Sequence, residues 1–356
     1  MRTVIFLGAG AGKADGRPLQ EEVFARFFSE AGTVESRRQL AAKLASFFSS
    51  VFGVDPLDAP SALLPTFEET LGVLDLAIGR EEALPVRVES AQAVWDLRQV
   101  RRELVLALAA TVSGQPAGGD SVHARLIASL RDGQYLDDIA FITTNYDTLL
   151  DDAIDARAVA GERGTGSLLD YGLDDLSPQE EGLFADERRF LCLKIHGSLN
   201  WLQCPICDKL DITYGSDSVT RLVDEPEEAR CLVCETLRTP VIVPPSYYKD
   251  LSNVHLAVVW AKSSRVLRSA AHIVFCGYSF PDADIHVKYL LKRAQLNREY
   301  DPEPLKISLV NQYPSKPADV SAVERKRFER FFGGVEIVDQ PLSFEQFATN
   351  PGLVLD

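Results

Sequence analysis

The sequence predicts an α/β protein whose core is a Rossmann-like, doubly wound parallel sheet. A short apolar run, VIFL at 4–7, leads into a glycine-rich segment, and further short apolar runs alternate with helical stretches in the second half of the chain. Continuous apolar runs of this length are typical of parallel strands that are buried on both faces. Their alternation with helices is typical of a doubly wound sheet.

Length and charge limit the possible functions. The 356 residues correspond to about two domains at roughly 150 residues each, or to one large core with an insertion. The net charge of −15 argues against nucleic-acid phosphates or an anionic membrane surface as the primary ligand. No apolar run approaches the ~20 residues that span a bilayer, and the first residues lack the pattern of a signal peptide. We therefore expect a cytoplasmic protein.

The first predicted strand ends in closely spaced glycines at Gly8 and Gly10. Glycines in this position let backbone amides approach a phosphate. A Walker-type loop is excluded, because Leu7 and Ala14 stand where that motif needs glycine and Ser or Thr. The usual dinucleotide fingerprint is also incomplete, since Lys13 stands at its third glycine.

Apolar residues recur at helical spacing over 19–132, which predicts an inserted helical block of four or five helices. The remaining core covers 1–18 and 133–356, and the polar, acidic residues 157–188 are expected to form a mobile loop or lid. Predicted strands lie at 139–144, 190–195, 239–244, 272–277, 305–311 and 335–338. Predicted helices of the core lie at 254–271, 283–297 and 320–332.

Four of the six cysteines form two Cys-x-x-Cys pairs with 23 residues between them. Two such turns can close a tetrahedral sulfur shell around Zn2+ without an open position for water. We therefore predict a structural zinc ribbon over residues 200–238, with a redox pair or unligated thiols as the alternatives. The predicted ligands are Cys204, Cys207, Cys231 and Cys234.

Three polar segments follow predicted strands, at the edge where doubly wound sheets bind ligands. They are TTNYD at 143–147, KIHGS at 194–198 and GYSFPDAD at 277–284. His196 ends a strand of the buried type and precedes a glycine, which makes it a candidate functional histidine. Asn145 and Asp147 are candidates too, although either could serve in an Asx turn or a helix N-cap.

The order of these motifs resembles the sirtuin (Sir2-like) family. GAG after the first strand, TxNYD, KIHGS, two Cys-x-x-Cys pairs, GYSF and LVN follow one another along most of the chain. The resemblance implies a Rossmann-like sheet with a zinc-ribbon small module, a helical insertion, and NAD+ as the ligand.

The resemblance also implies roles for individual residues. Asn145 and Asp147 would lie at the nicotinamide-ribose side, with His196 at the ribose hydroxyls as the general base. The residues expected to contact other parts of NAD+ are Gly8, Ala9 and Gly10 at the pyrophosphate, Thr144 beside them, Gly277 and Ser279 at the adenosine-ribose loop, and Asn311 at the other ribose.

Two departures separate this chain from the protein-deacylating sirtuins. Their GIPDFR-like run is replaced by DGRPLQ, and their peptide-pairing segment is replaced by VIVPPSYYKD, in which Pro244 and Pro245 remove two amide donors. The pattern is more similar to the Sir2-like NAD-consuming effectors of bacterial antiphage defence. We therefore expect an NAD+ hydrolase, with an NAD-dependent protein deacylase or an NAD- or ADP-ribose-sensing subunit without turnover as alternatives.

The resemblance also suggests how such an activity would be controlled. We expect a homo-oligomer and an operon-encoded protein partner such as a motor ATPase. The helical block and the acidic loop are the expected contact regions, and neither a nucleic acid nor a membrane is expected as a partner.

Overall fold

The computed structural model describes residues 2–58, 63–88, 91–113, 121–159, 169–173, 189–213, 218–243, 253–298, 304–313 and 316–356. Most of the predicted acidic loop and the Pro244–Pro245 pair lie outside these residues. Two parts of the predicted loop are described and are not loop throughout: 157–159 end the helix Leu149–Val159, and 169–173 include a short strand.

The core is a seven-stranded, entirely parallel sheet, which confirms the predicted α/β class. Its strands are β1 (Thr3–Leu7), β4 (Ile139–Thr143), β5 (Leu169–Asp170), β6 (Phe190–Lys194), β10 (His272–Cys276), β11 (Lys306–Val310) and β12 (Glu336–Asp339). Their order across the sheet is β12-β11-β10-β1-β4-β6-β5. The middle strands are apolar and fully buried because helices cover the sheet.

The helices around this sheet are α1 (Ala9–Lys13), α6 (Val122–Asp132), α7 (Leu149–Val159), α9 (Val254–Ser269), α10 (Ile285–Leu296), α11 (Ala318–Phe332), α12 (Phe344–Thr349) and α13 (Gly352–Leu355). Helix α6 packs against α7 and α12, and α9 packs against α10. From β1 the chain passes through β4 to β5 at the edge of the sheet, comes back one place to β6, and then crosses to the other side of β1 at β10. The direction of winding therefore reverses beside β1, and ligand crevices of doubly wound sheets lie at this reversal.

A second hydrophobic core forms in the first third of the chain. Its helices are α2 (Val23–Glu30), α3 (Glu35–Val51), α4 (Phe67–Gly79) and α5 (Leu97–Val112), joined by a hairpin of β2 (Pro85–Val88) and β3 (Ala91–Val94). The hairpin was not predicted from the sequence. Helix α6 lies inside the predicted helical block but packs into the core of the main sheet. The division of the chain into domains stays a proposal.

A small antiparallel sheet joins the two cores. It has the order β8-β7-β9, with β7 at Gly197–Gln203, β8 at Leu210–Ile212 and β9 at Thr239–Ile242. Helix α8 (Ser218–Asp224) packs on β7. β7 contributes Trp201 to the main core and Leu199 to the helical core, so this strand is buried on both faces.

No helix among the described residues has the length and apolar character needed to cross a membrane.

Candidate functional site

A cleft runs along the carboxyl ends of β1, β4, β6 and β10. It consists of an inner cavity of about 80 Å³ and an outer cavity of about 400 Å³. The two share four lining residues, which are Ala9, Gln20, Thr144 and Asp284. We call this continuous space the cleft.

The cleft gathers most of the residues predicted from the sequence. Those that line the inner cavity are Ala9, Thr144, Asn145, Asp147 and His196. Those that line the outer cavity are Ala9, Gly10, Thr144, Gly277, Ser279 and Asn311. Gly8 lies just behind, where its carbonyl oxygen accepts a hydrogen bond from Asn145. The four cysteines do not line the cleft and form a separate cluster.

The glycines after β1 and β10 pack backbone against backbone. The amide of Gly10 donates to the carbonyl of Gly277 at 2.8 Å, and the amide of Gly8 donates to the carbonyl of Cys276 at 2.9 Å. A Cβ atom on Gly277 would lie 2.1 Å from the amide nitrogen of Ala11, and the φ angle of Gly277 is +62°. The close approach of the two loops therefore requires glycine here.

Asn145 is held over the end of β1. Its Nδ2 donates to the carbonyl of Gly8 at 3.0 Å, and its own amide donates to Oγ1 of Thr143 at 3.0 Å. Thr143 Oγ1 in turn donates to the carbonyl of Leu7 at 3.2 Å. These bonds tie the carboxamide to the glycine loop and fix its orientation in the inner cavity.

Asp147 is buried, and its Oδ1 accepts the amide of Leu149 at 3.1 Å where α7 begins. This is the Asx-turn geometry that the sequence left open as one possibility. Its Oδ2 would lie only 3.2 Å from a Cβ on Gly12. The carboxylate therefore supports the loop that carries Asn145 and packs against α1.

His196 lies at the inner end of the cleft, where it is 2% exposed. Its ring stacks on the ring of Tyr146, with centroids 6.2 Å apart and planes 25° apart. The backbone around it is also fixed, because its carbonyl accepts the amide of Val243 at 2.9 Å. Tyr146 Oη donates to the carbonyl of Val243 at 2.8 Å. Burial and the charges of Asp284 and Glu68 raise the pKa of Tyr146 well above 10.0, so the phenol stays protonated.

At the outer end of the cleft, the carboxamide of Asn311 forms two hydrogen bonds with the backbone of Tyr278. Asn311 Oδ1 accepts the Tyr278 amide at 3.0 Å, and Asn311 Nδ2 donates to the Tyr278 carbonyl at 2.6 Å. Lys316 Nζ bonds both the Asn311 carbonyl at 2.8 Å and Glu324 Oε2 at 2.6 Å. Asn311 therefore joins the loops after β10 and β11, while Ser279 lies exposed at the rim.

Several lining residues were not predicted from the sequence. Val23, Phe67, Leu108 and Val112 come from the helical core and close the inner cavity. Arg17 also lines this cavity and is only 9% exposed. The sequence offered one signal for Arg17, because it is a charged residue in the short DGRPLQ segment that directly follows the glycine loop. No local pattern indicates which residues of the helical block reach the cleft.

The four cysteines form a cluster beside the small sheet. Their sulfur atoms all lie within 4.8 Å of one another. A Zn–S bond of about 2.3 Å places tetrahedral ligands about 3.8 Å apart, and the Cys207 and Cys231 sulfurs are 3.9 Å apart. The four cysteines could therefore hold a metal ion.

The two turns of this cluster share one backbone geometry. The amide of Asp208 donates to the carbonyl of Cys204, and the amide of Glu235 donates to the carbonyl of Cys231, at 3.0 and 2.9 Å. Asp208 and Glu235 both have positive φ angles, of 56° and 54°. A repeated turn of this kind presents two sulfurs on each side of a shared centre, which fits a closed four-sulfur site.

Comparisons with known proteins place these residues in context. The model of a family described as the SIR2-like domain matches residues 139–331. No curated protein matches the chain.

Solved structures of Sir2 proteins align with 98% of this chain and 90% of their own chains. One is Sir2 in complex with the inhibitor EX-527, 2'-O-acetyl-ADP-ribose and a deacetylated p53 peptide, at 14% identity and a TM-score of 0.37. Sir2Tm bound to a propionylated peptide and Sir2 with a p53 peptide and NAD+ are each 13% identical, with a TM-score of 0.38.

Proposed function

The chain belongs to the SIR2-like domain family, and from this premise we propose that it hydrolyses NAD+ at the bond between nicotinamide and ribose. Family membership supports an NAD-dependent activity in general and does not distinguish hydrolysis from deacylation. The choice of hydrolysis rests on the surroundings of His196.

The observation that carries this choice is the bonding of Val243. Its amide donates to the carbonyl of His196, and its carbonyl accepts Tyr146 Oη. A peptide that binds by strand addition needs unpaired backbone groups at a strand edge. Both polar groups of Val243, directly after β9, are already used within the chain. The helical core also closes the inner cavity with Phe67 and Leu108, which supports a site for a small attacking molecule rather than an acyl-lysine.

The proposed reaction breaks the C1'–N bond, and its electron pair passes to the nicotinamide ring, which leaves as a neutral molecule. A water oxygen bonds to C1', and its proton is released. We assign His196 as the base or the anchor of the ribose hydroxyls, and Asn145 as the group that orients the water or the ribose. Asp147 acts by holding the loop of Asn145. A closed pocket favours the oxocarbenium-like transition state because bulk water is excluded.

The test is to measure nicotinamide release from NAD+ by the purified protein, with and without an acylated peptide. We expect release that does not depend on peptide. His196→Ala and Asn145→Ala should each lower turnover by about 10² to 10⁴, which is typical for loss of acid, base or positioning groups. Asn145→Asp should be no better than Asn145→Ala, because its carboxylate would face the carbonyl of Gly8.

A matched control is His272→Asn. His272 begins β10 and so lies at the opposite edge of the sheet from the cleft. This variant should retain turnover. Release only in the presence of peptide would indicate a deacylase, and NAD+ binding without release would indicate the sensing subunit. Wild-type turnover of NAD+ by both His196→Ala and Asn145→Ala would contradict the roles assigned to these two residues.

We also propose that the ion held by the four cysteines is Zn2+. Four thiolates without an open position suit a structural zinc ion, which stabilises the small sheet and supplies no reactive group. We further propose that NAD+ depletion serves antiphage defence, that the protein forms a homo-oligomer, and that a partner protein controls its activity. Such control is expected because NAD+ hydrolysis that was always active would harm the cell.

A further inference from the structure

Arg17 is a buried cation that has no counter-ion among the residues that the structure describes. It is 9% exposed, lines the inner cavity with Asn145 and His196, and its Nε is fully buried. That nitrogen has no hydrogen-bond partner, and Arg17 has no ion pair with the residues that the structure describes. An arginine cannot lose its charge at neutral pH, so burial without a partner is unfavourable.

The side chain is nevertheless held in place. Its Cβ and Cγ lie 3.4 and 3.5 Å from the position that a Cβ on Gly12 would occupy, so its stem packs on α1. The absence of a side chain at Gly12 leaves room for this packing. Arg17 thereby lies at the wall of the inner cavity.

Acidic side chains outnumber cationic ones along the cleft. The acidic side chains among its described lining residues are Glu21, Glu68, Asp147, Asp284 and Glu324. The lysine of this lining, Lys316, is already paired with Glu324 at 2.6 Å. An anionic ligand entering this acidic cleft needs a cation, and Arg17 is the described lining cation that no carboxylate pairs.

We propose that Arg17 pairs with the pyrophosphate of the dinucleotide. This inference rests on the proposed function, because it takes a dinucleotide as the ligand. The planar guanidinium presents donors in a fork that matches two phosphate oxygens, and such bonds are stronger than those to a neutral acceptor. The neutral carboxamide of nicotinamide would leave the charge of Arg17 uncompensated.

The test is the Arg17→Met variant, which keeps most of the side-chain volume and removes the charge. Replacement of a buried, unpaired charge by an apolar group is neutral or stabilising, so the ligand-free variant should melt at the same or a higher temperature than the wild type. Its affinity for ADP-ribose and for inorganic pyrophosphate should fall roughly 10- to 100-fold. Its affinity for nicotinamide riboside, which has no pyrophosphate, should be unchanged. A merely structural arginine would give the reverse, with a lower melting temperature and unchanged ligand affinity.

Arg26→Gln is the matched control. Arg26 bonds the Gly16 carbonyl and Glu30 on the same segment but does not line the cleft. The Arg26→Gln variant should leave ADP-ribose binding unchanged.

If Arg17→Met binds ADP-ribose as tightly as a wild type that hydrolyses NAD+, the inference is overturned and the proposed function stands. If the wild type binds pyrophosphate through Arg17 but releases no nicotinamide, the proposed function fails and the inference stands. Binding of neither ADP-ribose nor pyrophosphate by the wild type would overturn both.

Discussion

The ammonium of Lys194 lies 2.9 Å from the carboxylate of Asp151, and both side chains are buried. Lys194 Nζ also donates to the carbonyl of Asp147 at 2.5 Å. Asp151 also accepts a hydrogen bond from Tyr171 Oη, and Tyr171 Oη accepts one from Asn200 Nδ2 at 3.1 Å. This buried network connects β6, α7 and β7 beneath the loop that carries Asn145.

The network keeps its charges. Burial by itself lowers the pKa of Lys194, but the adjacent Asp151 carboxylate outweighs it and holds the pKa above 10.5. The ammonium is therefore charged at neutral pH. Its second contact, the Asp147 carbonyl, ties the Lys194 ammonium to the loop that carries Asn145.

We expect Lys194→Met to destabilise the fold by about 3–5 kcal/mol, because it leaves the Asp151 charge buried without its partner. Lys194→Met/Asp151→Asn removes both charges and keeps an acceptor for Tyr171, so it should recover most of that loss. Turnover of NAD+ by the double variant should still be reduced, roughly 10- to 100-fold in kcat, because the Asp147 carbonyl is no longer held. Urea unfolding and steady-state kinetics separate the two effects. A double variant with the wild-type kcat would show that the network is only structural.

The close packing of the glycine loops after β1 and β10 can be tested at Gly277. We expect Gly277→Ala to destabilise the protein by about 1–3 kcal/mol or more, because alanine is strained at its φ of +62° and its Cβ would meet the Ala11 amide at 2.1 Å. The shifted loop should also weaken NAD+ binding. Gly32→Ala is the control, since no atom lies within 4 Å of its added Cβ, and its effect should stay within about 0.5 kcal/mol. Equal melting temperatures for the two variants would contradict the close packing.

Parallel strands were the most predictable part of this fold. The runs at 139–144, 190–195 and 272–277 contain strands that end one residue earlier than predicted. Their signal is local, because a strand buried on both faces is continuously apolar. The run at 239–244 forms β9 in the small antiparallel sheet, since an apolar run does not show which strand it will pair with. β7 was missed because polar residues that become buried, such as Asn200, interrupt its pattern.

The candidate site was predictable for a similar reason. Its residues follow strands, and the carboxyl ends of parallel strands meet at one edge of the sheet. The contacts of each residue were not predictable, because they depend on chain segments far away in sequence. Asn311 bonds Tyr278, Tyr146 bonds Val243, and Phe67 reaches the inner cavity from the helical core.

The four-cysteine cluster predicts a bound metal that chelation removes. We expect one Zn2+ per chain by elemental analysis, and its removal should lower the stability of the small sheet substantially, because binding energy in such sites contributes directly to folding. Cys207→Ser should lose the metal, whereas Cys276→Ala should keep it, since Cys276 is buried in β10 away from the cluster. Retention of a full equivalent of zinc by Cys207→Ser would contradict the four-ligand assignment.

His272 gives the protein an acid-sensitive element that is separate from the cleft. Burial, and then the nearby charge of Lys306, lower the pKa of His272 from 6.5 to about 4. Between these two values the unfolded chain binds a proton that the folded chain does not, so the stability due to neutral His272 is lost as the pH falls from 6.5 towards 4. Above pH 6.5 the residue adds no pH dependence.

We therefore expect the melting temperature of His272→Asn to fall less steeply than that of the wild type between pH 6.5 and 4, and to run parallel to it above pH 6.5. Lys306→Met should lie between the two, because removal of the neighbouring charge brings the pKa of His272 closer to 6.5. The carboxylates of the protein titrate in all three forms, so the difference between the melting curves isolates the histidine. Parallel curves over the whole pH range would mean that His272 is protonated equally in the folded and unfolded chains.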